Sequence, residues 1–428
     1  MADDASTRSL WRNATFTRVW FVGLLAGVVR WLELLALGIY AFDTTGSPTL
    51  VALLVVLRFL PLVVFGLVMG ALSDLLRPER VLRAGLLLVG GTALTMLALF
   101  HWTTPGYVVI AVATFVSGMF WAGDMPVRRR MLGDVVDPPR LPRAMALDSA
   151  ANNATRMMGP LLGGTIYQLL GAEGVYACGV VLYGAAIAVA AGLRPPPPSP
   201  AAAAAARARL ARPLAPVREA VVHALADRDI VRILLVTIVF NVWAFPYTTM
   251  VPVIGRDELG LAAGTLGLVA SLEGLFALVG ALLIARFRGR IAQRRLYVGA
   301  VFCLLASVLT IGVVTGLWIL ALGLAVGGLC ASGFAAMQAT LIYRLAPQAL
   351  RGRLMGLLTI CIGAGVLGFA NVGITAEFVG ASNALWIIAL EGLVVLTLVV
   401  RGWPELWRSE PATAEDTVPP PEMERGTP

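Results

Sequence analysis

The stretch Gly70-Ala-Leu-Ser-Asp74-Leu-Leu-Arg77-Pro-Glu-Arg80-Val-Leu-Arg83 is a short charged link between two long apolar runs, 48–69 and 84–100. Crossing a bilayer takes about 20 apolar residues, so both runs are long enough for membrane-spanning helices. A link this short makes the two helices antiparallel neighbours. Gly70 permits close backbone approach at the helix end, and Pro78 stops the first helix. Asp74 places an acceptor at the membrane surface, followed by basic residues. By charge alone this is a cytoplasmic loop obeying the positive-inside rule; the order Gly-x-x-x-Asp-x-x-Arg-x-x-Arg is more specific.

Working outward, the composition agrees with a membrane protein. Of 428 residues, 58% are hydrophobic and only 14% charged, against roughly 25% charged in soluble domains; the mean hydropathy is +0.83. Residues 1–18 are polar and carry Arg8, Arg12 and Arg18 with no signal-peptide apolar core, so the first span is expected to be uncleaved and to start inside. The four cysteines, Cys178, Cys303, Cys330 and Cys361, lie within apolar runs and read as small core residues rather than disulfide or metal partners. All 33 basic residues are arginine, and the absence of lysine excludes Schiff-base chemistry. No catalytic triad, metal site or phosphate-binding Gly-rich string is present in the sequence, so neither an enzyme nor a cofactor is expected.

Hydropathy predicts an all-α membrane protein with twelve spans: 17–41, 48–69, 81–100, 105–127, 143–168, 172–193, 230–254, 262–285, 295–315, 317–342, 352–376 and 382–401. With the N-terminus inside, 29 of the 33 arginines fall on the cytoplasmic side, only Arg256 outside, and Arg30, Arg58 and Arg156 within spans. The net charge of +8 is therefore explained by topology, and nucleic acid is not an expected partner. The organisation predicted is a cytoplasmic segment 1–16, a six-helix half 17–193, a linker 194–229 with an interfacial helix, a second six-helix half 230–401, and a disordered tail 402–428. Both termini are expected in the cytoplasm, in a bacterial-type inner membrane, and the chain is expected to be a monomer.

A weak internal repeat relates the halves. Pro139-x-x-x-Arg143 with Gly159, Gly164 and Gly171 recurs as Pro347-x-x-x-Arg351 with Gly368, Gly373 and Gly380, at an offset of 208 to 209 residues. Two repeated six-span halves are a transporter architecture.

The motifs carry a resemblance. The 70–83 stretch looks like the loop between helices 2 and 3 of the major facilitator superfamily. Gly159-Pro160-x-x-Gly163-Gly164 resembles the core of the antiporter motif in its proton-coupled drug exporters, although Thr155 stands where the longer motif often has glycine. Asp43-Thr-Thr-Gly-Ser47-Pro48, Arg58-Phe-Leu-Pro61 and Arg156-Met-Met-Gly159 are similar to the branch containing macrolide-efflux proteins and the enterobactin exporter. The resemblance covers most of the N-terminal half and little of the C-terminal half beyond Arg351-Gly-Arg353. It implies rocking of two halves around a midplane cavity.

Charged residues within spans cost at least about 2.5 kcal/mol each at the bilayer centre and need partners or water. Arg30 and Glu33 share one face of span 1, as a structural ion pair or as a titratable carboxylate in the central cavity tuned by its arginine. Glu273 in span 8 is the alternative proton carrier, and Asp124 a further one. Arg58 and Arg156 pair with Glu33 or Asp124, or contact an anionic substrate. Asp124 and Asp148, beside Arg128–Arg130 and Arg143, read as an inner gate of salt bridges. Glu391 in span 12 reads as a lipid-edge residue outside the cavity. Trp31, Asn152, Asn153, Asn241, Trp243, Tyr247 and Gln338 are the uncharged cavity candidates; aromatics with a few amides suit a bulky amphipathic substrate. Gly70, Asp74, Arg77, Arg80, Asp148, Gly159, Pro160, Gly163, Gly164 and Arg351 are the gating candidates. The expected function is proton-coupled efflux of a small amphipathic compound, with protons and the bilayer as further partners. The rivals are an uncoupled lysophospholipid or other solute transporter of the same fold, and a non-transporting membrane protein.

Overall fold

In the computed structural model, residues 10–137, 140–193, 215–287, 292–314, 316–347 and 350–403 are described. All elements among them are helical. The N-terminal half comprises α1 (Ala14–Thr45), α2 (Pro48–Leu75), α3 (Pro78–Trp102), α4 (Tyr107–Val135) and the continuous run Leu141–Ala191. That run is broken at Gly171, whose φ of 64° and ψ of −164° are non-helical; only glycine adopts such a conformation without strain. The indole of Trp20 in α1 donates to the Leu147 carbonyl, and Arg18 donates to the Gly192 carbonyl. Both arms therefore return to the same end of α1. They are antiparallel spans, α5 (141–170) and α6 (172–191).

A short helix, Ala215–Ala226, precedes the second half. There α7 covers Arg228–Glu258, α8 Ala263–Arg286, α9 Gln293–Val313 and α10 Leu317–Leu345. α11 is built from Arg351–Gly363 and Gly365–Val379, and α12 is Ala381–Arg401. Counting α5 and α6 separately, twelve described helices are long and apolar enough to cross a membrane.

The halves repeat each other in detail. Asn13 Oδ1 caps α1 by accepting from the Thr15 and Phe16 amides, and Asp227 Oδ1 caps α7 by accepting from Asp229 and Ile230. The caps are 214 residues apart. At the same offset Arg232 donates to the Gly402 carbonyl, as Arg18 does to Gly192. These arginines satisfy carbonyls orphaned at the ends of α12 and α6. Gly380, 209 residues after Gly171, turns the chain from α11 into α12 with φ of 86°.

The halves meet along two seams, α5 on α8 and α2 on α11. Glycines make the first seam a backbone contact. A Cβ on Gly164 would lie 2.3 Å from the Ala263 carbonyl oxygen, and one on Gly267 2.5 Å from that of Pro160. Gly159 and Gly163 face the other way and admit the α1 backbone at Trp31 and Leu32. Of the tail expected to be disordered from residue 402, Trp403 is buried, because its indole donates to Asp229 at 2.8 Å and packs under Arg232; residues 404–428 lie outside the described set.

Candidate functional site

α1, the cavity wall and the first ionic cluster are built together. Near the middle of α1, Trp31 faces the seam between the halves while Arg30 and Glu33 point into the N-terminal half. Arg30 Nη2 meets Asp124 Oδ2 at 2.9 Å, and its guanidinium lies 5.0 Å from the Trp121 ring centre. Asp124 Oδ1 also accepts from Arg128 Nε at 2.9 Å, and Arg128 Nη1 reaches Asp148 Oδ1 at 2.7 Å. Arg129 lies 3.8 Å from the second Asp148 oxygen. This chain of alternating charge ties α1, α4 and α5 together inside one half. Charge-assisted bonds at every step offset the cost of burying these groups. An inner gate needs partners in opposite halves, so this network is internal bracing instead.

Glu33 does not pair with Arg30. Its Oε2 lies 3.5 Å from Arg58 Nη1, and Arg58 Nη2 donates to the Arg30 carbonyl at 3.0 Å. Positions three apart on one helix share a face, but here two different neighbours, α4 and α2, compete for them and separate the pair. Glu33, Arg58 and Thr114 line a small chamber that shares Leu34, Gly38, Val51 and Val55 with the main cavity. Glu33 therefore lies beside the central cavity rather than in it.

The main cavity sits between the halves, with about 780 Å³ of space including its open mouth. Its walls are mostly apolar and aromatic: Trp31 and Phe59 from one half, Phe245 and Phe369 from the other. The 214-residue repeat relates Trp31 to Phe245 and Gly38 to Pro252, and all four line the space. Its charged groups are Arg156 of α5 and Glu273 of α8, which form an ion pair across the seam. Arg156 also lies 5.2 Å from the Trp31 ring centre. Arg156 thus takes Glu273, and neither Glu33 nor Asp124. The glycine seam explains this: Gly274 lies directly against the backbone of Arg156 and Met157, placing the two chains side by side.

Several expected cavity residues sit elsewhere. Asn241 donates to the Thr237 carbonyl on its own helix at 2.9 Å. Gln338 donates to Thr237 Oγ1 at 3.0 Å, which in turn is 2.8 Å from the Tyr297 hydroxyl. Tyr247 is buried against Gly327 of α10, and Trp243 points outward to Glu391. The cause lies in α7, which is irregular. Phe240–Ala244 form a π turn, Phe245–Thr249 a 3₁₀ turn, and Ile254–Glu258 a second π turn. Each departure rotates the following residues off an ideal helical face, so Thr248 and Thr249 line the cavity instead. Asn152 and Asn153 are half-buried on α5, outside the cavity wall.

Of the gating candidates, the side chains of Gly70 and Asp74 lie outside the described residues. Arg77 and Arg80 are exposed. Arg83, at the end of the same stretch, donates to the carbonyls of Ala190, Ala191 and Leu193 at 2.6 to 3.0 Å, and so holds the end of α6. Arg351 lies 4.1 Å from the Tyr343 ring centre.

The other polar contacts described between the halves gather at the end carrying the α1–α2 loop. Arg256 binds Asp43 through two bonds, at 2.9 and 3.1 Å. Glu377 of α11 accepts from Ser47 Oγ at 2.6 Å and from the Thr49 amide. Gln168 of α5 accepts from the Gly264 amide of α8. Two sequence signals could have found the first of these. Arg256 is the one arginine outside the cytoplasmic set, and Asp43 opens the motif before Pro48.

Residues 5–426 match the family described as transmembrane secretion effector. The uncharacterized MFS-type transporter YfiS of Bacillus subtilis (strain 168) is 27% identical over 151 residues, 34% of each chain, so the match spans about a third of that relative's length. Among solved structures, a bacterial homologue of the human lysosomal transporter Spinster superposes with TM-score 0.72 at 12% identity, covering 94% of this chain and 99% of that one. The nucleoside transporter NupG superposes with TM-score 0.73 at 12% identity over 92% of this chain and 100% of its own.

Proposed function

We propose an export mechanism that starts from a plain premise: the chain belongs to the transmembrane secretion effector family and is a membrane transporter of the MFS type. In our reading it moves a small amphipathic compound out of the cytoplasm by alternating access, driven by proton entry. The observation that carries this is the ion pair Arg156–Glu273, which joins the two halves across an otherwise aromatic and apolar cavity. Such a cavity suits an amphipathic body, and a carboxylate there can exchange its arginine for a proton or for a polar group of the substrate. When Glu273 takes a proton, Arg156 loses its partner and the seam loses one contact. Proton, substrate and conformation then compete at one place, which is what coupling requires. Glu33 is the second candidate carrier, one turn from Trp31 and separated from the cavity by a shared apolar wall. Arg30, the partner expected for Glu33, belongs in this reading to the bracing network with Asp124.

The test begins with a thermal-shift screen of the purified chain against drugs, siderophores and lysolipids. The best stabiliser is then followed in proteoliposomes containing a pH-sensitive dye. Substrate movement coupled to proton movement is expected for the wild-type chain. Glu273→Gln is expected to abolish proton-driven transport while retaining substrate exchange, because exchange needs no net deprotonation. Should Glu33→Gln uncouple and Glu273→Gln not, the carrier is Glu33. Coupled transport in both variants would defeat the proton reading and favour a facilitator of the same fold.

A further inference from the structure

Glu391 stands at the centre of α12, with ten residues of the helix on either side. At 1.5 Å per residue this is about 15 Å from each end, the middle of a hydrocarbon core about 30 Å thick. The side chain is not turned inward. Glu391 is exposed on the outer surface of the bundle, in an apolar groove between α7 and α12 that faces the surrounding lipid. Among the described residues no arginine pairs with it; its one partner is the Trp243 indole, which donates to Oε2 at 3.1 Å. A glutamine carbonyl would accept that bond equally well, so the bond does not account for an acid at this depth. A bare carboxylate there costs at least about 2.5 kcal/mol, and a cation lying against it removes that cost.

The rest of the groove has the form of a cation site. Trp243 and Trp386 contribute indoles to its wall, and Leu390, Val394 and Val395 extend it along α12. Indole faces attract alkylammonium heads, more strongly where water is scarce. The wide π turn of α7, in which the Phe245 amide reaches back to the Phe240 carbonyl, is the local feature that carries Trp243 to this outer face.

We propose that this groove binds an amphipathic monocation from the bilayer, with its head on Glu391 between the indoles and its apolar tail along Leu390 and Val394. The charge selects a cation, the depth and apolar walls select one dissolved in lipid, and the site is separate from the cavity between the halves. The proposal does not depend on the transport reading above.

The full-length chain in nanodiscs is exposed to dodecyltrimethylammonium carrying a photoreactive diazirine in its tail, and the labelled peptides are mapped by mass spectrometry. Labelling of the 386–395 segment is expected, displaced by plain dodecyltrimethylammonium and not by dodecyl sulfate. This head-group comparison uses the wild-type chain and so does not rely on any variant folding. Glu391→Gln is expected to reduce that labelling about tenfold, and Glu273→Gln to leave it unchanged. Equal displacement by the anionic detergent would overturn the site, as would undiminished labelling of Glu391→Gln. So would efficient disulfide linkage of two copies through Val394→Cys, which would show the groove to be covered by a second chain.

Discussion

The two halves share a fold and differ in what they bury. The N-terminal half encloses Arg30, Glu33, Arg58, Asp124, Arg128 and Asp148. The C-terminal half encloses a neutral network of Thr237, Tyr297 and Gln338, with stacked rings at Phe240 and Phe334 whose centres are 3.7 Å apart. Its buried charge, Glu273, faces across the seam to Arg156. The backbone differs in the same sense. α1 is a regular 32-residue helix, whereas α7 passes through π, 3₁₀ and π turns. Ion pairs fix direction and distance among α1, α2, α4 and α5. Neutral hydrogen bonds of about 1 kcal/mol each hold the other half less rigidly. We expect the first half to move as one body, and adjustment around the cavity to come mainly from α7.

The largest effect is expected from opening the ionic network. Arg128→Met would leave Asp148 with only the 3.8 Å contact to Arg129 and Asp124 with Arg30 alone. Removing one partner of a buried pair costs about 3–5 kcal/mol. Gln338→Leu, at a buried site of the neutral network, is expected to cost about 1 kcal/mol. Denaturant unfolding of the purified protein measures both. Equal losses would break the distinction between a braced half and a loosely held one.

How far this was legible in the sequence differs between fold and site. Twelve spans follow from hydropathy because each apolar run must match the bilayer, and the repeat shows in Gly171 and Gly380 because their backbone conformation excludes other residues. The charged residues were identifiable as buried, but their partners were not. Arg30 and Glu33 are neighbours on a helix, yet they bind Asp124, 94 positions away, and Arg58, 25 positions away. No local pattern encodes which of several apposed helices wins. On α7 the reading of faces failed for Asn241, Trp243 and Tyr247 because it presumed a regular helix, and no signal short of the structure reveals two π turns. On α1 and α5, which are regular near the cavity, Trp31, Arg156 and Pro160 line it.

An intermediate effect distinguishes the two seams. On α5–α8 a side chain at Gly164 meets backbone, the Ala263 oxygen and Gly267 Cα, which cannot yield alone. On α2–α11 a side chain at Gly373 meets the Ala52 methyl at 2.3 Å. Overpacking of this kind costs about 1–3 kcal/mol. Gly164→Ala and Gly373→Ala are each expected to lower stability and transport. Ala52→Gly should restore Gly373→Ala, while no single side-chain truncation should restore Gly164→Ala. Rescue is read from thermal unfolding and from transport of the stabilising compound. Failure at Gly373 would mean that the second seam is also set by backbone, and that the halves are held alike on both sides.

The smallest effect should come from the latch between Asp43 at the end of α1 and Arg256 in the last π turn of α7. Both side chains are partly exposed, 26% and 31%, and pairs of this kind contribute about 0.2–1 kcal/mol. Asp43→Asn should therefore leave global stability nearly unchanged. A two-state balance, however, shifts by up to about fivefold for 1 kcal/mol, which is enough to populate a form in which this end opens. Spin labels on cysteines at Thr44 and Asp257, both exposed, report the separation across the latch. A second pair at Asp257 and Ser382 reports movement of α7 within its own half, and a third at Thr44 and Thr103 reports the N-terminal half. If α7 is the adjustable element, Asp43→Asn broadens the first two distance distributions and leaves the third narrow. Broadening of the third pair would show that α1 gives way as readily as α7. The buried charges of the N-terminal half would then brace its core without holding its end.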